Sequence, residues 1–178
     1  MDTRKKDIKI CGLIGILVIT AWLLGFVIEA QADTMKCKIA RLVTKEETIP
    51  VSDEEGHILA MLISEGLAFF ENGDIANFKS QAIADRRTGT GKGAQSISYI
   101  FFTFEDGSSI ITRIEYRSIA DPSGKISTKT TGEIIKGTSR FGGIKGSYSS
   151  TGKMFPRIKG EAEKYSMDVT LTYTLPPK

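Results

Sequence analysis

The sequence predicts an all-β fold: an eight-stranded antiparallel closed barrel preceded by an N-terminal apolar leader helix. Three observations carry that prediction. Polar and apolar residues alternate with period two through much of the chain after Ala32, the spacing that turns one face of a strand toward a core and the other toward water. The alternating runs are bounded by Asn72-Gly73, Asp106-Gly107 and Pro122-Ser123-Gly124, all chain-reversal signals. No helical period competes with them, and eight or nine strands in one small domain lose their exposed edges most simply by closing into a barrel.

The leader comes first. Arg4, Lys5, Lys6 and Lys9 precede an apolar run from Ile10 to Ile28, and Ala30-Gln31-Ala32 supplies the small-x-small pattern of a signal-peptidase site. Residues 1–32 are therefore read as a signal peptide and the protein as exported, periplasmic or secreted. The run exceeds the roughly 7–15 residues of a signal core and nears the ~20 that span a bilayer. The alternative is an uncleaved membrane anchor with the domain outside the cytoplasm. Neither Cys11 nor Cys37 stands in a lipobox. Removal of the leader leaves Cys37 alone, so packing rather than a disulfide must hold the domain.

Residues 33–56 read as an N-terminal extension with one strand near Lys38–Thr44 and a polar, acidic loop over Lys45–Glu55. Residues 57–178 read as the barrel domain. Strands are expected near His57–Ser64, Leu67–Glu71, Asp74–Ala84, Ser96–Glu105, Ser109–Ile119, Lys125–Ile135, Ile144–Ser150 and Tyr165–Thr174. A two-residue turn at Asp106-Gly107 pairs Glu105 with Ser108, and so Phe101 with Thr112, Tyr99 with Ile114 and Ile97 with Tyr116 on one face. That face points inward, leaving Arg113, Glu115 and Arg117 outside. Ile100, Phe102 and Phe104 then lie on an outer side that the N-terminal segment or another subunit must cover. The last strand turns Met167, Val169, Leu171, Tyr173 and Leu175 inward. Across Asp121–Gly124, the longer of two loops keeps Glu133 and Lys129 outside and brings Thr130 and Ile134 in; the shorter one buries Glu133 as a candidate acid or base.

"GTSRFGGIKGSYS", Gly137 to Ser149, resembles the Gly-Thr-Gly-x-Phe-x-Gly-x-x-Gly signature of the allene oxide cyclase and dirigent barrel superfamily, with Ser139 in place of the middle glycine. "SEGLAFFENGDIA" from Ser64 and "SISYIFFTFEDGSSIIT" from Ser96 stand in the family's order before it. The resemblance implies an eight-stranded barrel around a central cavity, often trimeric, whose cyclase members isomerise a fatty-acid epoxide and whose dirigent members steer radical coupling without performing it. Ala68 stands where the cyclases carry a cysteine, and no counterpart of their asparagine-containing N-terminal segment is found. Corner-turning glycines, with Phe141 as a plug at one end, suffice to explain the signature.

Other motifs fail their chemical tests. With 24 Lys plus Arg against 21 Asp plus Glu, net +3 and no basic block, the chain has no footprint for nucleic acid. Arg86–Gln95 lacks the first glycine and the Ser or Thr of a phosphate loop, although Arg86, Arg87 and Lys92 would attract an anion at a barrel mouth. Ser150–Lys153 matches Ser-x-x-Lys without a helix or companion motifs. His57 is the lone histidine, so no histidine metal cluster is available, and Asp53-Glu54-Glu55 reads as a solvated turn. No cofactor and no metal are expected.

The preferred reading is a non-catalytic barrel that binds a small apolar or amphipathic molecule with Tyr99, Phe101, Ile114, Tyr116, Leu171 and Tyr173. One alternative is an isomerase-like enzyme of the cyclase type using an inward carboxylate, Glu65 or Glu133. The other is a barrel filled by its own side chains. A small hydrophobic ligand, a homo-oligomer such as a trimer and, for an uncleaved leader, the membrane are the expected partners.

Overall fold

The computed structural model describes residues 32–87, 93–120, 126–155 and 160–177; the leader lies outside them. The strands are β1 Asp33–Pro50, β2 His57–Phe70, β3 Ile75–Arg87, β4 Gly93–Phe104, β5 Ser109–Ala120, β6 Ile126–Thr138, β7 Lys145–Met154 and β8 Lys164–Thr174. Each is antiparallel to the next, and β8 pairs with β1 to close the barrel. A short 3-10 turn, Ser139–Phe141, joins β6 to β7.

Two boundaries differ from the sequence reading. Residues 33–50 are the first barrel strand rather than an extension, paired with both β2 and β8. Lys45–Pro50 has a loop's composition because this end of β1 lies at the barrel rim, where both of its faces are exposed. Ser64-Glu65-Gly66 also runs straight through β2, so two expected strands are one. Gly66 is needed there. A Cβ on it would fall 2.0 Å from the Ala40 carbonyl oxygen of β1, closer than any packed contact permits.

The β4–β5 register differs by one residue from the expected one, and the turn explains it. Phe104 N–H donates to the Ser108 carbonyl at 2.9 Å and Gly107 N–H to the Phe104 carbonyl at 3.0 Å, leaving a three-residue loop, Glu105–Gly107. Only Gly107 has a positive φ, of 77°. A two-residue type I′ turn needs positive φ at both central residues, whereas one left-handed glycine fits a type I turn closed by a bulge. The Asp106 carboxylate secures this form by accepting from the Ser108 N–H at 2.9 Å and from its hydroxyl. The Asn72-Gly73 hairpin is built alike, with φ 91° at Gly73 and Phe70 paired to Asp74.

The slip turns β4 over. Ser98, Ile100, Phe102 and Phe104 point inward and are buried, while Tyr99 is 42% exposed. No covering subunit is needed for Ile100, Phe102 and Phe104: they are the core. The expected inward faces of β5 and β8 match the structure, with Ile110, Thr112 and Ile114 and with Val169 and Leu171 all buried. Arg113 and Arg117 face outward, as read. Thr130 and Ile134 are buried and Glu133 is exposed, the arrangement expected of the longer loop; residues 121–125 themselves, and the Lys129 side chain, lie outside the described residues.

Candidate functional site

The lumen is divided by the sizes of its inward side chains. On β3 the inward row runs Ala76, Phe78, Ser80, Ala82, Ala84; on β4 it runs Phe104, Phe102, Ile100, Ser98, Ser96, Ala94. Large residues therefore cluster at the end carrying the β2–β3 and β4–β5 hairpins, and small ones at the other. At the first end the core is continuous: ring centroids of Phe70 and Phe102 lie 5.9 Å apart, Phe70 and Phe104 5.1 Å, and Phe104 and Phe141 5.0 Å. Phe141 is buried against Phe104 and closes that end, as its place in the glycine-rich signature implies. Arg140 stacks outside it, 4.7 Å from the Phe104 ring and 4.9 Å from Phe141, and pairs with Asp74 at 2.8 Å and Asp106 at 3.4 Å. One side chain thus ties both hairpins to the plug.

Small residues leave space at the opposite end, a cavity of about 300 Å³. Its floor is Phe78, Ile100, Ile114 and Arg41, and hydroxyls of Ser64, Ser80, Ser98, Tyr116 and Ser118 ring its wall. Apolar walls with a few convergent polar groups are the usual form of a small-molecule site. A second hollow, outside the barrel along Glu133–Gly137 and Gly143–Lys145, is an open surface recess.

Arg41 is the feature of the cavity with the least internal compensation. Alternation along β1 places it inward after Cys37 and Ile39, where its guanidinium lies 4.4 Å from the centre of the Tyr165 ring and 6.0 Å from that of Phe78. One terminal nitrogen donates to the Ser64 hydroxyl at 2.7 Å, but the buried Nε–H has no acceptor. Burial lowers the arginine's pKa. Arg41 forms no ion pair with any described carboxylate. Of the other cations in the lining, Arg86 pairs with Glu46 at 2.7 Å and Arg87 with Glu54 at 3.0 Å, while Lys153 is exposed to solvent. Glu46 reaches Arg86 because a bulge between Val43 and Lys45 reverses the facing of β1. Glu163 accepts from the Tyr165 hydroxyl at 2.8 Å; burial, and then this bond, push that phenol's pKa up.

Of the six residues expected to bind a ligand, Ile114 and Tyr116 line the cavity. Leu171 is fully buried in the packed core and Tyr173 packs against it. Tyr99 and Phe101 face outward because of the register slip. The candidate carboxylates are also outside: Glu65 lies 3.4 Å from Lys79 and Glu133 4.0 Å from Arg113, each more than half exposed. Neither enters the lumen, so neither is its acid or base. Arg86 and Arg87 end β3 and Gly93–Gln95 begin β4, while residues 88–92 of that stretch, Lys92 included, lie outside the described residues. Ser150 sits on strand β7 with its hydroxyl buried and unpartnered, far from the helical setting its motif would need.

His57 is outside the lumen as well. The β1–β2 turn folds over it, placing Asp53 2.5 Å from Nδ1 and Asp85 3.1 Å from Nε2. Asp53 and Glu54 of the acidic turn are thus held by His57 and Arg87, and no metal-binding group of side chains occurs among the described residues.

The structure of a pterocarpan synthase dirigent protein matches this barrel with a TM-score of 0.51, covering 86% of this chain and 96% of that one at 13% identity. The chain folds as a dirigent-like barrel. No protein-family model and no curated protein matches it. At this identity the likeness establishes the fold and leaves the chemistry to the site. In this dirigent-like barrel the signature's missing glycine has a visible consequence: Ser139 adopts φ 51°, the one positive-φ non-glycine residue described.

Proposed function

We propose that this protein is a non-catalytic binding barrel that takes a small amphipathic molecule into the open half of its lumen. The observation that carries the reading is the division of the interior into an aromatic half that is filled and a half with about 300 Å³ of space, at the lower end of the ~300–1,000 Å³ of small-molecule sites. The two carboxylates considered as acid or base lie outside, and Glu163, a carboxylate of the cavity lining, is bonded to the Tyr165 hydroxyl, which favours binding over the isomerase alternative. The cavity also argues against a barrel filled wholly by its own side chains.

Export supports the same reading: the leader would deliver the barrel to the periplasm or the exterior, where it would meet small molecules directly. An outward apolar stripe over Met61, Ile83, Ile97 and Tyr99, all exposed on neighbouring strands β2 to β4, supports association into a homo-oligomer. Native mass spectrometry of protein purified gently from its own host tests the reading. A co-purifying small molecule with one-to-one stoichiometry is expected; ligand-free protein that also takes up no apolar probe would overturn it.

A further inference from the structure

We propose that Arg41 supplies the counter-charge for an anionic group on the cavity's ligand, a small organic acid with an aromatic or apolar body. The inference rests on the binding reading above and adds the ligand's charge.

Arginine keeps its proton even when buried, so the lumen holds a positive charge beside the phenyl and branched alkyl walls of Phe78, Ile100 and Ile114. Such a charge is costly unless a partner compensates it. The protein's compensation is partial. Tyr165 and Phe78 offer ring faces, Ser64 accepts one hydrogen bond, and Nε–H has no acceptor. Among the described residues of the lining the carboxylate is Glu163; it accepts from the Tyr165 hydroxyl and supports the Arg41 charge through space without forming an ion pair with it. The other two arginines of the lining, Arg86 and Arg87, already have carboxylate partners. A carboxylate entering past the serine hydroxyls would give the guanidinium the planar, two-oxygen partner its geometry matches, and the low-dielectric surroundings would strengthen the pair. The apolar floor at Ile100 and Ile114 would hold the body of the same molecule.

Two probes with the same ring system and similar size test the charge: naphthoate and its neutral analogue naphthylmethanol, titrated by calorimetry. The barrel is expected to bind naphthoate at least about tenfold more tightly, the scale of one charge-assisted hydrogen-bonded pair. In Arg41→Met the preference should vanish while naphthylmethanol still binds; in Arg41→Lys part of it should survive. Equal affinity of the native protein for both probes overturns this inference and leaves the binding reading standing. Binding of neither probe overturns both. Retention of the full preference in a folded Arg41→Met barrel assigns the anion to another group and sinks the role given to Arg41. If that variant fails to fold, the native protein and Arg41→Lys decide the matter by the same comparison.

Discussion

Phe104 and Phe141 hold their rings 5.0 Å apart at the closed end of the barrel, joining the β4–β5 hairpin to the turn between β6 and β7. With Phe70 and Phe102 they fill half of the lumen. Truncation there removes packed volume that the rigid strands cannot recover. Phe104→Ala, at the closed end against Phe70 and Phe141, should destabilise the fold by about 3–5 kcal/mol, read by chemical denaturation, while leaving the affinity of the cavity at the opposite end for an apolar probe nearly unchanged.

Ser139 gives a prediction of opposite sign. A non-glycine residue in the left-handed region carries roughly 1–2 kcal/mol of strain, and part of that relief is lost to the greater freedom of an unfolded glycine. Ser139→Gly should therefore raise stability by up to about 1 kcal/mol, seen as a higher denaturation midpoint with an unchanged slope. A lower midpoint would contradict the strained turn.

Gly66 allows the reverse experiment. Its missing side chain is what lets β2 pass the Ala40 carbonyl and the Arg41 Cα. Gly66→Ala should cost more than about 2 kcal/mol, since backbone rather than a movable side chain must shift. A thermal melt that matches the native one would show that the strands do not approach as described.

Acid should loosen the loops in a defined sense. The carboxyl of Asp53 is held below its ordinary value of 3.8 chiefly by its hydrogen bond with His57, and that of Asp106 chiefly by the hydrogen bond from the Ser108 hydroxyl. A depressed folded-state pKa means that the stabilisation is present above about pH 4 and is lost as pH falls through the folded values. Melting temperature should drop along that limb, and Asp53→Asn with Asp106→Asn should flatten it. Cys37 behaves differently: burial pushes its thiol up to about 12, so thiol reagents at neutral pH should label it only as the barrel unfolds.

The parts of this fold that could be read in advance were those in which one residue decided one thing. The strict alternation of Met167 to Tyr173 marks the inward face of β8, and the cost of an unpaired buried carboxylate favours the longer Asp121–Gly124 loop, which leaves Glu133 outside. The β4 face was harder, because both of its rows are apolar: Tyr99 and Phe101 compete with Ile100 and Phe102. Only the shape of the Asp106-Gly107 loop separates them, and one residue of slip exchanges every side chain. Pro50 and the glutamates before it disguised β1 for a related reason. A strand at a barrel rim is wetted on both faces and writes no alternation.

Arg41 escaped the sequence reading although its signal was present. Cys37, Ile39, Arg41 and Val43 form one i, i+2 row, and a single cation interrupting an apolar row is a sign of a charge turned into a core. The row does not stand out as part of the barrel as long as Asp33–Gly56 reads as an extension. Likewise the cavity was encoded in the fall from phenylalanine to serine and alanine along β3 and β4, a gradient visible only after the inward rows are assigned.

The open half of the lumen is the centre of this account, and two neighbouring positions test it most directly. Ala84 faces the cavity and is buried, whereas Ile83 faces outward and is 67% exposed. Binding of a fluorescent apolar probe should be measured for Ala84→Trp and Ile83→Trp side by side. A loss of at least about tenfold in the first and none in the second is the predicted result, because an indole would occupy the space a ligand needs; equal binding by two folded variants would contradict a ligand site inside the barrel.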